Sequence, residues 1–365
     1  LFVYAYSGAL AGMMGIVYAA QVNALYPNKM VGDELTVVAA VVILLWMVIG
    51  YVGFRTAICR GHELNITDRE ALKGTSWDQY YEEIQEGIEW INRQEAEDIF
   101  IRSEDGFKLH GRLMDQPGAK GTVLMFHGYR THPEVDFSAS SHVYYECGNR
   151  IVHIDQRAAG ESEGKYIGFG VLESRDCCLW AQYIAKRFGP DQKIILAGLS
   201  MGASTVLMAT AHHEKKLIPI SISIEKTMEV CMELPENVTG IVADSAFSSP
   251  YDIIKKRIHT IFHCKGNLIT VSIGIWSRFY AHYGLKTLSV PEVMKENTIP
   301  VLLVHGTADS NVPVEMTIQA AKNCIAPKKL LLVEGAEHGT GYLVDNAGYV
   351  QALQEFCCVS SAERH

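Results

Sequence analysis

The sequence predicts an α/β domain, a mostly parallel sheet with helices on both faces, set behind an apolar membrane segment. Three observations predict it. From about Asp98 to Cys358, short apolar runs of strand length alternate with stretches of helix length. One run turns directly into a helix through Gly198-Leu199-Ser200-Met201-Gly202. Ahead of the domain, Leu35 to Phe54 holds 20 residues without a charge, about what is needed to cross ~30 Å of hydrocarbon.

The apolar N-terminal part reads as two spans. The segment 1–20 also lacks charge, and the polar turn Tyr26-Pro27-Asn28-Lys29 separates it from the span 35–54. The first segment has no charged leader region and no clear cleavage site, so a helical hairpin is expected. Gly8 and Gly12 have the small-xxx-small spacing of helix contacts in lipid, a pattern that is common by chance. Arg55 and Arg60 follow the second span, which favours placing that end, and the domain after it, in the cytoplasm of a membrane-bound protein. Residues 61–97 carry Trp77, Tyr80, Tyr81 and Trp90, with Tyr80, Ile84, Ile88 and Ile91 at helical spacing. A juxtamembrane helix packing on the domain is the expectation there.

The domain spans 98–358, with a tail at 359–365. Ile99–Arg102 and Lys108–Leu113 flank Glu104-Asp105-Gly106 and suggest an antiparallel hairpin. Thr122–Phe126, Ile151–Ile154, Ile194–Ala197, Gly240–Ala243, Val301–Val304 and Leu330–Val333 read as strands buried on both faces. Helices are expected over Val171–Phe188, with Leu172, Leu179, Tyr183 and Phe188 holding one side, over Met201–Ala211 and over Asp345–Cys358. Residues 248–298 break the rhythm with extra helical material, where a lid is expected.

Composition excludes some partners. A net charge of −9 and a pI near 5.9 argue against nucleic acid, which requires a clustered basic surface. Lys215-Lys216 and Lys255-Lys256-Arg257 are too short for that role. The nine cysteines, two pairs of them adjacent, show no C-x-x-C spacing and read as reduced, mostly buried thiols. No phosphate-binding or dinucleotide motif is present, so no cofactor is expected. His259, His263 and Cys264 lack a further ligand motif, His212-His213 suits a helix C-terminus, and no metal is expected.

Chemistry concentrates at Ser200. Gly198 and Gly202 permit a strand-to-helix turn too tight for side chains, lifting the serine hydroxyl above the sheet over a helix N-terminus. Serine needs a base, and the base needs a group to orient it. The strand 301–304 runs into His305-Gly306-Thr307-Ala308-Asp309, and the strand 330–333 into Gly335-Ala336-Glu337-His338-Gly339. Asp309 and His338 therefore fall just past the ends of two successive strands that follow the serine. Glu337 and Asp345 are weaker substitutes for the acid. The backbone N–H groups of Tyr129 and Met201 are assigned to an oxyanion hole, with His127-Gly128 shaping the loop after the strand 122–126. Asp244-Ser245 reads as a structural turn near the site.

These motifs, with Asp155-Gln156-Arg157-Ala158-Ala159-Gly160-Glu161-Ser162, resemble the α/β-hydrolase superfamily over about residues 98–358. Within it the chain resembles the bacterial membrane-anchored, serine-aminopeptidase-like branch. The resemblance implies the α/β-hydrolase fold and a triad of Ser200, Asp309 and His338. Ala159 departs from the histidine or glycine of many relatives, and 214–237 is longer than usual. The leading expectation is hydrolysis of an ester, thioester or amide through an acyl-enzyme. A lipid-like or other small acyl substrate is favoured by the tether and by Ile273, Ile275, Trp276, Phe279 and Tyr280. The alternatives are a peptidase using the same serine and a non-catalytic membrane-bound scaffold.

Overall fold

A computed structural model describes residues 31–63, 69–211, 215–218, 228–231 and 233–359. The first expected span, with Gly8 and Gly12, and the pair His212-His213 lie outside these residues. Helix α1 (Val31–Ala57) contains the apolar stretch Val37–Ala57, long and apolar enough to cross a membrane and only 11% buried. The expected juxtamembrane helix is broken: a short turn at Arg69–Leu72 and a 3₁₀ turn at Asp78–Tyr80 precede α2 (Tyr81–Asn92). Gly74 separates them in a left-handed conformation, at φ 77°. Within α2, the expected spacing buries Ile84, Ile88 and Ile91.

The sheet forms from β1 (Glu97–Arg102), β2 (Lys108–Met114), β3 (Gly121–Phe126), β4 (Asn149–Ile154), β5 (Lys193–Leu199), β8 (Val238–Asp244), β9 (Val301–Gly306) and β10 (Lys328–Val333). Their order is β1-β2-β4-β3-β5-β8-β9-β10. The pairs β1–β2 and β2–β4 are antiparallel, and every later pair is parallel. Alternation along β3 sends Val123 and Met125 into one apolar layer and Leu124 and Phe126 into the other. Helices α3 (Glu173–Phe188), α4 (Met201–Met208), α7 (Val314–Asn323) and α8 (Asn346–Val359) cover the sheet. Between β5 and β8, strands β6 (Lys215–Ile218) and β7 (Met228–Cys231) pair as a separate antiparallel ribbon.

The buried side of α3 differs from the sequence expectation. Cys177, Cys178, Trp180, Ala181 and Ile184 are buried, together with the acidic Glu173 and Asp176. Glu173 accepts the N–H groups of Gly168 and Gly170 at 2.6 and 2.8 Å, and Asp176 holds the Arg157 guanidinium at 2.6 and 2.7 Å. Partnered carboxylates of this kind belong inside, so the deepest part of the face lies beside the expected one, whose Leu172, Tyr183 and Phe188 pack against the core half-buried.

Residues 248–298 contain α5 (Pro250–Phe262) and α6 (Asn267–Trp276). α6 runs alongside α1: Trp46 Nε1 donates to Leu268 O at 2.8 Å, and Trp276 Nε1 donates to Met47 O at 2.8 Å. A Cβ at Gly50 would lie 1.8 Å from Ser272 Oγ, so the two helices meet only because that position has no side chain. The last turn of α1 and the residue after it then enter the main core through Phe54 and Ile58.

A Cβ at Gly202 would lie 1.7 Å from Phe126 O, a backbone atom of the central strand. Gly202→Ala is expected to lower stability by about 3 kcal/mol or more, read from denaturant unfolding of the full chain. The His110 imidazole is buried between two carboxylates. Its Nδ1 lies 2.8 Å from Asp155 Oδ2 and its Nε2 lies 3.0 Å from Asp98 Oδ1. The Asp155 hydrogen bond outweighs burial and, with Asp98, lifts the imidazole pKa to about 9. In an unfolded chain a histidine titrates near ~6.5, so the folded state holds this proton more tightly. The resulting stabilisation is complete below pH ~6.5 and is lost as pH rises through about 9. The melting temperature of His110→Gln should fall below wild type at pH 6 and converge on it near pH 10.

Candidate active site

Ser200 stands between β5 and α4 at φ 55° and ψ −110°, a conformation that non-glycine residues avoid. Its N–H donates to Asp244 O at 2.8 Å, tying the turn to the neighbouring strand β8. Gly198 is as constrained as Gly202: a Cβ there would lie 2.2 Å from Gly202 O. The turn closes because both flanking positions are bare.

The loops after β9 and β10 bring the other two residues to this point. His338 Nε2 lies 2.9 Å from Ser200 Oγ, and its Nδ1 lies 2.7 Å from Asp309 Oδ2. Asp309 is fully buried at its side chain. Its Oδ1 accepts the N–H groups of Asn311 and Val312 at 2.9 and 2.8 Å. Burial by itself would raise this carboxyl pKa. Hydrogen bonds from His305 and His338, with the Val312 N–H, instead hold it well below the usual carboxylate range. A carboxylate fixed in this way selects the imidazole tautomer with Nδ1–H, leaving Nε2 to accept the serine proton.

Neither substitute acid takes this place. Glu337 Oε2 receives the Ser310 N–H and hydroxyl at 3.3 and 3.1 Å. Asp345 accepts the Gly348 N–H at 3.0 Å, in the first turn of α8. Asp244 is buried, with the Tyr349 hydroxyl and the Ser245 hydroxyl each 2.9 Å from its carboxylate. Its side chain serves the packing behind Ser200.

The loop after β3 lies against the serine, where a Cβ at Gly128 would sit 3.5 Å from Ser200 Cβ. His127 is fully buried, with Nδ1 2.7 Å from Gly128 O and Nε2 accepting the Gln156 N–H at 3.1 Å. Both ring nitrogens are thus engaged in holding the loop. Tyr129 is the next residue in this loop, and Met201 is the first residue of α4. The N–H of a first helical residue has no acceptor within its own helix.

Sequence reasoning missed three supports of the site. His305 is buried beneath Asp309, with Nε2 3.1 Å from Asp309 Oδ2 and 3.0 Å from Val312 O, and Nδ1 2.7 Å from Thr317 Oγ1. Burial opposes its charge, yet the Asp309 and Val312 hydrogen bonds raise its pKa above the ordinary value. Asp136, also buried, accepts the Gly128 N–H at 2.5 Å and the Thr131 hydroxyl at 2.7 Å. Third, α1 reaches the same loop. The Tyr129 hydroxyl donates to Ala57 O at 2.8 Å, and Arg130 Nη2 donates to Thr56 O and Cys59 O at 2.7 and 3.0 Å. The four-residue spacing of His305 and Asp309 was a signal for the first. The second and third leave no pattern in sequence.

No family model matches the chain. Among curated proteins it is similar to the uncharacterized protein YqkD of Bacillus subtilis (strain 168), 21% identical over 269 residues, covering 74% of this chain and 81% of that one. It is also similar to the uncharacterized protein YfhR of Salmonella typhi, 25% identical over 261 residues, covering 67% and 75%. Among solved structures, the esterase Pf2001 of Pyrococcus furiosus has a TM-score of 0.55 at 21% identity, covering 73% of this chain and 93% of that one. Est1E of Butyrivibrio proteoclasticus, solved with ferulic acid bound, has a TM-score of 0.52 at 21% identity, covering 73% and 100%. An α/β hydrolase, GrgF from Penicillium sp. sh18, gives 0.54 at 14% identity, covering 73% and 99%. With this sheet order and these likenesses, the chain has the α/β-hydrolase fold.

Proposed function

We propose that this protein is a membrane-tethered serine hydrolase that cleaves an ester, thioester or amide through an acyl-enzyme. The observation that carries the reading is the continuous hydrogen-bonded line from Ser200 Oγ through His338 to buried Asp309. In this scheme Ser200 Oγ attacks the acyl carbon while its proton passes to His338 Nε2. The carbonyl oxygen becomes an oxyanion facing the N–H groups of Tyr129 and Met201. Collapse breaks the bond to the leaving group, which takes the proton from His338. Water, deprotonated by the same imidazole, then releases the acid and restores the serine. Asp309 keeps the ring in one orientation and favours its transient positive charge, and His305 and the Val312 N–H keep Asp309 ionised.

Apolar surface beside the tether supports an acyl chain of some length. Leu268, Val271, Ile275 and Phe279 are exposed on or next to α6, alongside the exposed Val48 and Ile49 of α1. Ile273, counted with this group from sequence, is buried against Gly53, and Trp276 is engaged by α1. α1 suits a membrane tether by its length and composition. Arg55 and Arg60, both exposed at and just beyond its end, support a cytoplasmic domain; Arg60 also donates to the carbonyls of Ser162 and Gly160.

Labelling with a fluorophosphonate probe tests the nucleophile. Wild type and Ser245→Ala should label and Ser200→Ala should not; a wild type that fails to label favours the scaffold reading. Asp309→Asn should keep its fold and lose about 10³–10⁴ in kcat. On p-nitrophenyl esters, kcat/KM should rise from short to long acyl chains. Equal rates at every length would remove the lipid-like substrate class.

A further inference from the structure

A helix C-terminus leaves its last carbonyls without partners and concentrates partial negative charge there. At the end of α1 the carbonyls of Thr56, Ala57 and Cys59 are taken by two consecutive residues, Tyr129 and Arg130. These directly follow Gly128 in the loop that lies against Ser200. Arg130 has φ 57°, a left-handed conformation that costs a non-glycine residue about 1–2 kcal/mol, so it needs support from its surroundings. The support is visible. Its guanidinium bonds one carbonyl in the last turn of α1 and one just beyond it, and lies 4.9 Å from the centre of the Tyr129 ring, which also stacks on Phe169 at 5.1 Å. A Cβ at Gly61 would come within 2.7 Å of that guanidinium, so the chain leaving α1 also closes on it.

The loop is therefore held from two sides. Asp136 fixes Gly128, and α1 fixes Tyr129 and Arg130. We propose that Arg130 is a positioning residue that binds the last turn of α1 to the oxyanion loop, making the tether helix a working part of the active site. The proposal rests on the hydrolase reading above. Arg130 acts through the backbone of Tyr129 and touches no substrate. A shift of α1 relative to the domain would move the Tyr129 N–H, and an error of about 1 Å in such a group can cost on the order of 10² in rate.

The test uses the full chain in detergent micelles and a short, soluble p-nitrophenyl ester. Arg130→Ala should lower kcat by about 10–100-fold while KM stays within about threefold, with fluorophosphonate labelling slowed in step. Arg130→Lys should recover part of kcat, since it returns the charge without the planar reach to two carbonyls. If Arg130→Ala melts at the wild-type temperature with unchanged kcat, or if only KM rises, the proposal fails. Should Arg130→Ala not fold, Tyr129→Phe decides: it removes one hydroxyl and keeps the ring, and kcat should fall about three- to tenfold, whereas unchanged kcat overturns the proposal. A wild type that neither turns over nor labels sinks the hydrolase reading together with this one. That result is distinct from an active wild type matched by its Arg130→Ala variant.

Discussion

Ser200 occupies a backbone conformation that costs on the order of 1–3 kcal/mol, and the surrounding sheet must hold it there. The means are steric. Gly198 and Gly202 let β5, α4 and the backbone of Phe126 approach closer than any Cβ allows. The Ser200 N–H bond to Asp244 O fixes the turn to the next strand. With the serine placed in this way, the loops after β9 and β10 need only meet it at the carboxyl edge of the same sheet, and they do.

Around that point the protein sorts its buried acids by their partners. Asp309 has four N–H neighbours from Asn311, Val312, His305 and His338, and stays ionised. Asp136 and Asp244 are equally buried but accept fewer or weaker donors, and desolvation pushes both carboxyls up. The contrast separates functions. The first holds an imidazole in register, while the other two brace the loop after β3 and the packing beneath the serine. A buried carboxylate is an asset here only where the chain supplies enough donors.

Much of this was legible in sequence because it depends on local order. The parallel strands appeared as apolar runs, the turn at Ser200 as a pair of glycines, and Asp309 and His338 as residues just past strand ends. What sequence hid depends on partners distant in the chain. The deepest side of α3 was hidden because Glu173 and Asp176 find Gly168, Gly170 and Arg157 only in the folded state, while the expected Leu172, Tyr183 and Phe188 line its half-buried edge. The break at Gly74 shortened the expected juxtamembrane helix. The seam between α1 and the 127–131 loop joins residues more than seventy positions apart through main-chain carbonyls, which carry no residue identity.

Acyl transfer as proposed passes through a tetrahedral centre bonded to Ser200 Oγ, its oxyanion facing two amides beside one imidazole. A crystal structure of the full chain inhibited by a small alkyl phosphonate would test that directly. Phosphorus should be bonded to Ser200 Oγ, with one phosphonyl oxygen about 2.7–3.1 Å from the N–H groups of both Tyr129 and Met201. An adduct on another residue, or an oxygen turned away from those two amides, would contradict it.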